Sequence, residues 1–550
     1  MRALVYALTV AVAAAAVMVL NTAAWTASTD YADMGGYRRL WSDLALAVNA
    51  FLDARHPPTS GEEAARAAAR DAVEAYRPLI VERTQRGDIR PATPWRTMGV
   101  RPFLRERAQR EAQLYDDPGR ALLLSAGFRV LGSVAPFLIL WLGLLVALPV
   151  LGWLVAEGFA AGHGPAVSAM ALALCCWPFF LETLALPRYA VGFYLVAVLG
   201  LCAFALALCL GALTPGGLLA RATAAGLLLA LCAVCRSSVI LLLPGFVLAL
   251  LVGLRRVAPR WPGRVGILAL PALIALAAPY LFVQPAQRHG VWSAVWEGLG
   301  DFDRTHGHAW SDPVAEQVSR DAGGGALWTP GSEAVFRRVV IGDVRGDPAW
   351  YAGILVKRAG ATLVQWKLWP RRAAGGSPIR RSTSDNEGFM DKYYGYAATA
   401  DHVGLGRWRV ELPMVMMLAP PLLLVALALR GPARAEARRA LPVLACVAVA
   451  TLGVPLAIST AAAQETQAFA FVYVLALGFV VELAWRFPWR FGAEAAKPRK
   501  PQGSARDPIG QPGASAGSDE TAHGAGAAHG RGRATLLRCA DMGQPFKSRV

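Results

Sequence analysis

The sequence predicts an all-α polytopic membrane protein, with about ten transmembrane helices and two large extracytoplasmic loops. Three observations predict it. Of 550 residues, 55% are hydrophobic and only 17% are charged, with a mean hydropathy of +0.39, too apolar for a soluble multidomain chain. Ten apolar runs are long enough to cross a hydrocarbon core of about 30 Å, which takes about 20 helical residues. Third, the arginines of the short connections fall on one side, as the positive-inside rule requires.

The runs lie near 3–24, 132–156, 165–186, 189–213, 218–235, 237–254, 264–284, 410–429, 439–459 and 468–486. The first, behind Arg2, reads as a retained anchor: it is long, and no clear small-residue cleavage site leads into a soluble domain. With the N-terminus inside, Arg255, Arg256, Arg260 and Arg264 lie in a cytoplasmic link, as do Arg430, Arg434, Arg438 and Arg439. The link 460–467, TAAAQETQ, has no Lys or Arg and falls outside. The chain therefore divides into a first span (1–24), a first extracytoplasmic loop (25–131), a bundle (132–284), a second extracytoplasmic loop (285–409), C-terminal spans (410–486) and a disordered basic cytoplasmic tail (487–550). The expected location is the cytoplasmic membrane, with both termini cytoplasmic. Its position, in links and tail beside membrane lipid, accounts for the net charge of +17 without a nucleic-acid partner.

Of eight cysteines, Cys175, Cys176, Cys202, Cys209, Cys232, Cys235 and Cys446 sit inside apolar runs, where a thiol acts as a small hydrophobe. Cys232 and Cys235 form a CxxC without the second pair that a zinc site needs.

In the first loop, Ser60-Gly61-Glu62-Glu63 is a capping-box pattern opening an Ala/Arg/Glu-rich helix that Pro78 stops. A second polar helix is expected from Phe103 to Tyr115. Ahead of both, Asp30 and Asp33 lie just after the first span, with Tyr37 four residues beyond Asp33. On a helix that spacing places the ring on the carboxylate's face.

The second loop holds the densest motif, HGVWSAVWEGLGDFDRTHGHAWSD over 289–312. An interfacial aromatic belt accounts for Trp292 and Trp296, but not for Asp301, Asp303 and Asp312. Aromatic rings beside carboxylates also suit a carbohydrate, whose flat face stacks while its hydroxyls are held. His289, His306 and His308 have no firm metal-ligand spacing and read as loop histidines; no cofactor is required, and a divalent metal stays open. From Trp350 to Trp369 the chain is apolar but carries Lys357, Arg358 and Lys367, and reads as a helix lying in the interface.

This layout resembles the GT-C superfamily of polyprenyl-phosphate-sugar-dependent membrane glycosyltransferases: one span, a long outer loop opening with Asp, a bundle, then a second large outer loop. More narrowly, the 289–312 motif followed by DPAWYAGILVKRAGATL is similar to a group of bacterial multi-pass proteins with a GLGDFD-type outer loop. The resemblance implies an inverting transferase taking sugar from a lipid-linked donor to a glycan, lipid or protein acceptor on the extracytoplasmic face. It places the general base at Asp33, with Asp30 as substitute, although many members have an adjacent acidic pair where this chain has Asp33-Met34. Arg236, in CAVCRSSVILLLPG, resembles the arginine such enzymes hold between apolar runs. Glu182 and Arg188, near outer span ends, are candidates for the same site.

Ionisable groups beside spans are functional candidates without the family as well. Arg236, with Lys357 or Arg358, would offset charge on the leaving phosphate. Two other classes stay open. One is a transporter or flippase for a lipid or sugar, against which the chain shows no internal repeat and no matching pair of broken spans. The other is a non-catalytic membrane assembly protein.

Overall fold

The computed structural model describes residues 2–27, 119, 120, 123, 126, 127, 130, 136–185, 191–257, 291–302, 305–309, 311–325, 327, 329–364, 402–405, 408–430, 433–459 and 465–487. The compact unit Met1–Trp489 contains all of these; the second unit, Arg490–Val550, and so nearly all of the expected tail, lies outside them. So do the capping box at 60–63, the helix expected at 103–115 and the apolar run 264–284.

Among the described residues, six helical stretches are long and apolar enough to cross a membrane: Leu138–Ala160, Gly192–Leu210, Pro215–Cys235, Ser237–Val257, Arg434–Ala457 and Gln467–Arg486. Shorter apolar stretches are Ala7–Val19, Gly164–Cys175 and Leu418–Arg430. The run expected as one span at 165–186 is two helices. Trp177 is fully buried, stacked on Phe180 and edge-on to Phe471. Pro178 follows it, and a proline without an N–H disfavours helix in the preceding residue.

In chain order the spanning part comprises α1 (Arg2–Ala27), α2 (Pro136–Leu144), α3 (Ala147–Ala160), α4 (Gly164–Cys175), α5 (Pro178–Ala185), α6 (Val191–Leu210), α7 (Pro215–Cys235) and α8 (Leu243–Val257). The second outer segment then supplies α9 (Val291–Leu299), α10 (Asp312–Asp321), α11 (Pro330–Gly346) and α12 (Pro348–Val364). A short antiparallel pair, β1 (His402–Leu405) and β2 (Trp408–Glu411), with His402 opposite Glu411, leads into α13 (Leu412–Arg430). The chain continues through α14 (Arg434–Thr451), the single turn α15 (Gly453–Ala457), a 3₁₀ turn (Thr466–Phe469) and α16 (Ala470–Arg486).

α6 is the centre. It is apolar on every side, as a helix packed all round must be, and 94% of its spanning window is buried. α3, α7, α8 and α14 surround it. α1 packs on α3 and α5, and α16 on α4 and α13. Where α8 meets α14, a Cβ on Gly245 would overlap the Cys446 carbonyl oxygen, so only glycine permits this crossing, in line with the small residues of membrane helix interfaces.

α7 begins with Thr214 as N-cap, its hydroxyl accepting from the Gly217 amide at 3.1 Å, and Pro215 behind it. It ends at Arg236, whose backbone is extended (φ −152°, ψ 104°). The 3₁₀ turn Ser237–Leu242 then leads straight into α8. α7 and α8 thus form a tight hairpin with an arginine at its tip.

Charged side chains keep to the span ends. At one end Glu157 of α3 takes a two-pronged contact from Arg221 of α7 (2.9 and 3.1 Å). Arg256 there donates to the Leu208 carbonyl at 2.7 Å and Arg438 to that of Ala428 at 3.0 Å. Glu482 of α16 accepts from the Ala166 amide at 2.9 Å, capping α4, and pairs with Arg486. Arginines expected on one side of the membrane, Arg256 and Arg438, do share one end of the bundle.

Candidate functional site at one end of the helix bundle

The outer segment builds a small core of its own. Trp296, Leu299, Phe302, Ala315, Phe336, Val340 and Ile354 are buried together, with Trp292, Trp350 and Tyr351 against them. Trp296 is 2% exposed and packs on Phe336 and His308, so it is a core residue here and offers no free face to a sugar. α11 opens on a capping box between Thr329 and Ser332. Its Glu333 accepts from the Trp292 amide (2.8 Å) and the Ser293 amide (3.0 Å), placing a carboxylate on the positive N-terminus of α9.

This module is joined to the bundle by a buried polar cluster. Asp301, at the end of GLGD, and Arg358, of α12, are both 0% exposed. Arg358 Nε lies 3.5 Å from Asp301 Oδ2, and Arg358 Nη1 donates to the Leu456 carbonyl of α15 at 2.9 Å. Ser459 Oγ donates to Asp301 Oδ1 at 2.6 Å. Burial presses the guanidinium pKa downward and Asp301 opposes it; arginine still stays charged. Beside this cluster a Cβ on Gly298 would overlap the Ile458 carbonyl oxygen, which explains the glycine in the GLGD motif as a point of backbone contact. α12 therefore turns its arginine inward to the bundle, against the expectation that its basic side faces lipid phosphates. Lys357 is exposed, with its Nζ 5.5 Å from the Phe302 ring centre; Lys367 lies outside the described residues.

A second ion pair stands at the same end. Arg236 pairs with Glu465, its Nε donating at 2.7 Å, and the Ser238 hydroxyl donates to the same carboxylate at 3.3 Å. Glu465 is 2% exposed. Arg236 is thus neutralised at the hairpin tip. Sequence reasoning passed over Glu465, although it is the one acid in a link without Lys or Arg. It also passed over Ser459 and Leu456, and no signal marks a serine hydroxyl or a carbonyl.

Two of the loop histidines lie beside carboxylates, and His289 falls outside the described residues. His308 Nε2 is 3.0 Å from Asp343 Oδ2, and His306 Nε2 is 3.6 Å from Asp347 Oδ2. Both rings pack on Trp350. Burial lowers the His308 pKa more than Asp343 raises it, so the buried ring is held neutral. Among the described residues no three His, Cys, Asp or Glu side chains group to hold a metal ion.

Glu297 is a strongly perturbed carboxyl of the module. Burial, with the charge and hydrogen bond of Asp312 behind it, pushes its pKa up to about 9. Asp312 is itself exposed, at the first turn of α10. Because the folded module binds this proton more tightly than the unfolded chain, its stability falls as pH rises above the ordinary carboxylate range of about 4.5 toward about 9. We expect proteolysis within 291–364 to speed up over that interval. Glu297→Gln should flatten the dependence, and a slope unchanged in that variant would refute it.

Of the other sequence-derived candidates, Glu182 lies on α5. Asp30, Asp33, Tyr37, Arg188 and Asp303 fall outside the described residues. Asp301, Arg358 and Arg236 are brought to one end of the bundle, with Lys357 beside them; Trp292 and Asp312 sit in the module above. Compared with models of known families, with curated proteins and with solved structures, the chain matches none.

Proposed function

We propose that this is a multi-pass glycosyltransferase of the cytoplasmic membrane, GT-C-like with ten spans and both termini cytoplasmic. It moves a sugar from a polyprenyl-phosphate donor to an acceptor at the extracytoplasmic end of the bundle. The observation that carries the reading is where the charges lie. Arg236 with Glu465, Arg358 with Asp301, and Lys357 gather at one end, and the described spans have no Asp, Glu, Lys or Arg near their middles. A carrier needs its polar groups near the bilayer midplane. An enzyme acting on a headgroup needs them at the end, level with the phosphate.

In this reading the lipid tail lies along the apolar spans and the phosphate reaches the exposed Lys357, while Arg236 stays paired with Glu465. The Lys357 ammonium favours the charge that develops on the leaving phosphate. The acceptor hydroxyl attacks the anomeric carbon as the bond to the phosphate oxygen breaks, and Asp33 takes the hydroxyl proton. The phosphate leaves as an anion and needs no general acid, unlike the leaving group of a two-carboxylate hydrolase. Membranes containing the protein, offered radiolabelled polyprenyl-phosphate sugars, should consume donor and yield labelled product. Donor that merely changes leaflet, with its sugar bond intact, would show a carrier instead.

A further inference from the structure

α11 separates its charges by face. At about 100° per residue, Glu333 and Asp343 fall on the side of the buried Phe336 and Val340, where α9 and His308 engage them. Arg338 and Arg345 fall on the opposite side and Arg337 on its flank, one turn from Glu333; all three are exposed, and among the described residues no carboxylate pairs with them. Nothing lies within 4 Å of the places where side chains would start at Gly342 and Gly346, so this face is low and open. The contacts to the bundle end come from Gly298, Asp301 and Arg358, not from α11. Among the described residues, then, nothing covers the cationic face.

We propose that this face of α11 is a docking surface for an acidic glycan, a polymer bearing carboxylates or phosphates along its length. Two guanidiniums on one helix face, Arg338 and Arg345, with Arg337 flanking them, have no partners of their own to give up, and each presents a fork matched to a carboxylate or phosphate. Arg338 and Arg345 are seven residues apart, about 10 Å along the axis. That is too far to close on one small anion and suits charges repeated along a chain. The choice of a glycan rests on the transferase reading, in which this surface holds the acceptor; the argument from charge does not.

The test uses the full chain in nanodiscs of neutral phosphatidylcholine, without donor lipid, and polygalacturonate as the probe. Dextran is the uncharged control, and phosphatidylglycerol vesicles form a separate arm. Polygalacturonate should bind where dextran does not, and binding should weaken as salt is raised. Affinity should fall about tenfold in Arg337→Gln/Arg338→Gln/Arg345→Gln, on the scale of a few surface charge contacts, with the three-lysine variant recovering part of it. Equal binding by wild type and the glutamine variant, no preference over dextran, or loss confined to vesicle binding would each overturn the proposal. Since no donor is present, a failure of sugar transfer cannot produce any of these results.

Discussion

Asp33→Asn is expected to lower sugar transfer by about 10²–10⁴-fold, the range typical of removing a general base, while the protein stays in the membrane and still binds donor lipid. The amide has nearly the size and hydrogen-bonding reach of the carboxylate but cannot take the acceptor's proton. Asp30→Asn should cost far less, because Asp30 stands three residues nearer the first span and lacks the i+4 relation that Asp33 has to Tyr37. The measurement is turnover in membranes at matched expression, with donor binding followed separately. Equal losses for the two variants, or loss of expression in place of turnover, would show that a turn had been mistaken for a base.

The second large effect lies at the joint between module and bundle. Arg358→Met leaves Asp301 buried with its charge and without the guanidinium that faces it. Removing one partner of a buried pair typically costs about 3–5 kcal/mol, because the other charge stays uncompensated. The module 291–364 should then be released from the bundle end and be cut by protease under conditions that spare the wild type. Asp301→Leu should do the same by stranding the guanidinium. The double variant, with both charges gone and similar volume restored, should recover most of the loss, since two apolar residues can replace a buried pair at little cost. If the double variant were as labile as the sum of the singles, the pair would not be what holds the module.

Much of the fold was legible because spans announce themselves through composition alone. The apolar runs at 189–213, 218–235, 237–254 and 468–486 were found within a few residues of α6, α7, α8 and α16. Arg256 and Arg438, expected on one side, share one end of the bundle, since a charge is costly in hydrocarbon. What could not be read was partnership across distance. Arg358 looks basic and outward on a helical projection, and only Asp301, Leu456 and Ser459, far away in the chain, turn it inward. Arg236 looked like a spare cation until Glu465 came beside it. Trp296 carried the composition of a sugar platform, but a ring's burial is decided by Phe336 and His308, which no local pattern supplies. The break before Pro178 was readable from the proline, and the apolar run concealed it.

α6 faces helices on every side, and this changes what its sequence is free to do. A span that fronts lipid, as α7 does at the exposed Leu227 and Leu231, can exchange one apolar residue for another, since oil accommodates any shape. α6 meets fixed surfaces instead: a side chain starting at Gly200 would run into Leu228, and one at Gly192 into Leu144. The first kind of span tolerates exchange, and the second is held by volume. Ala197, Ala203 and Ala205, each fully buried, would be barred to leucine although leucine is the more hydrophobic residue, because a packed interior rejects added methylenes. In such a helix it is size that selection reads.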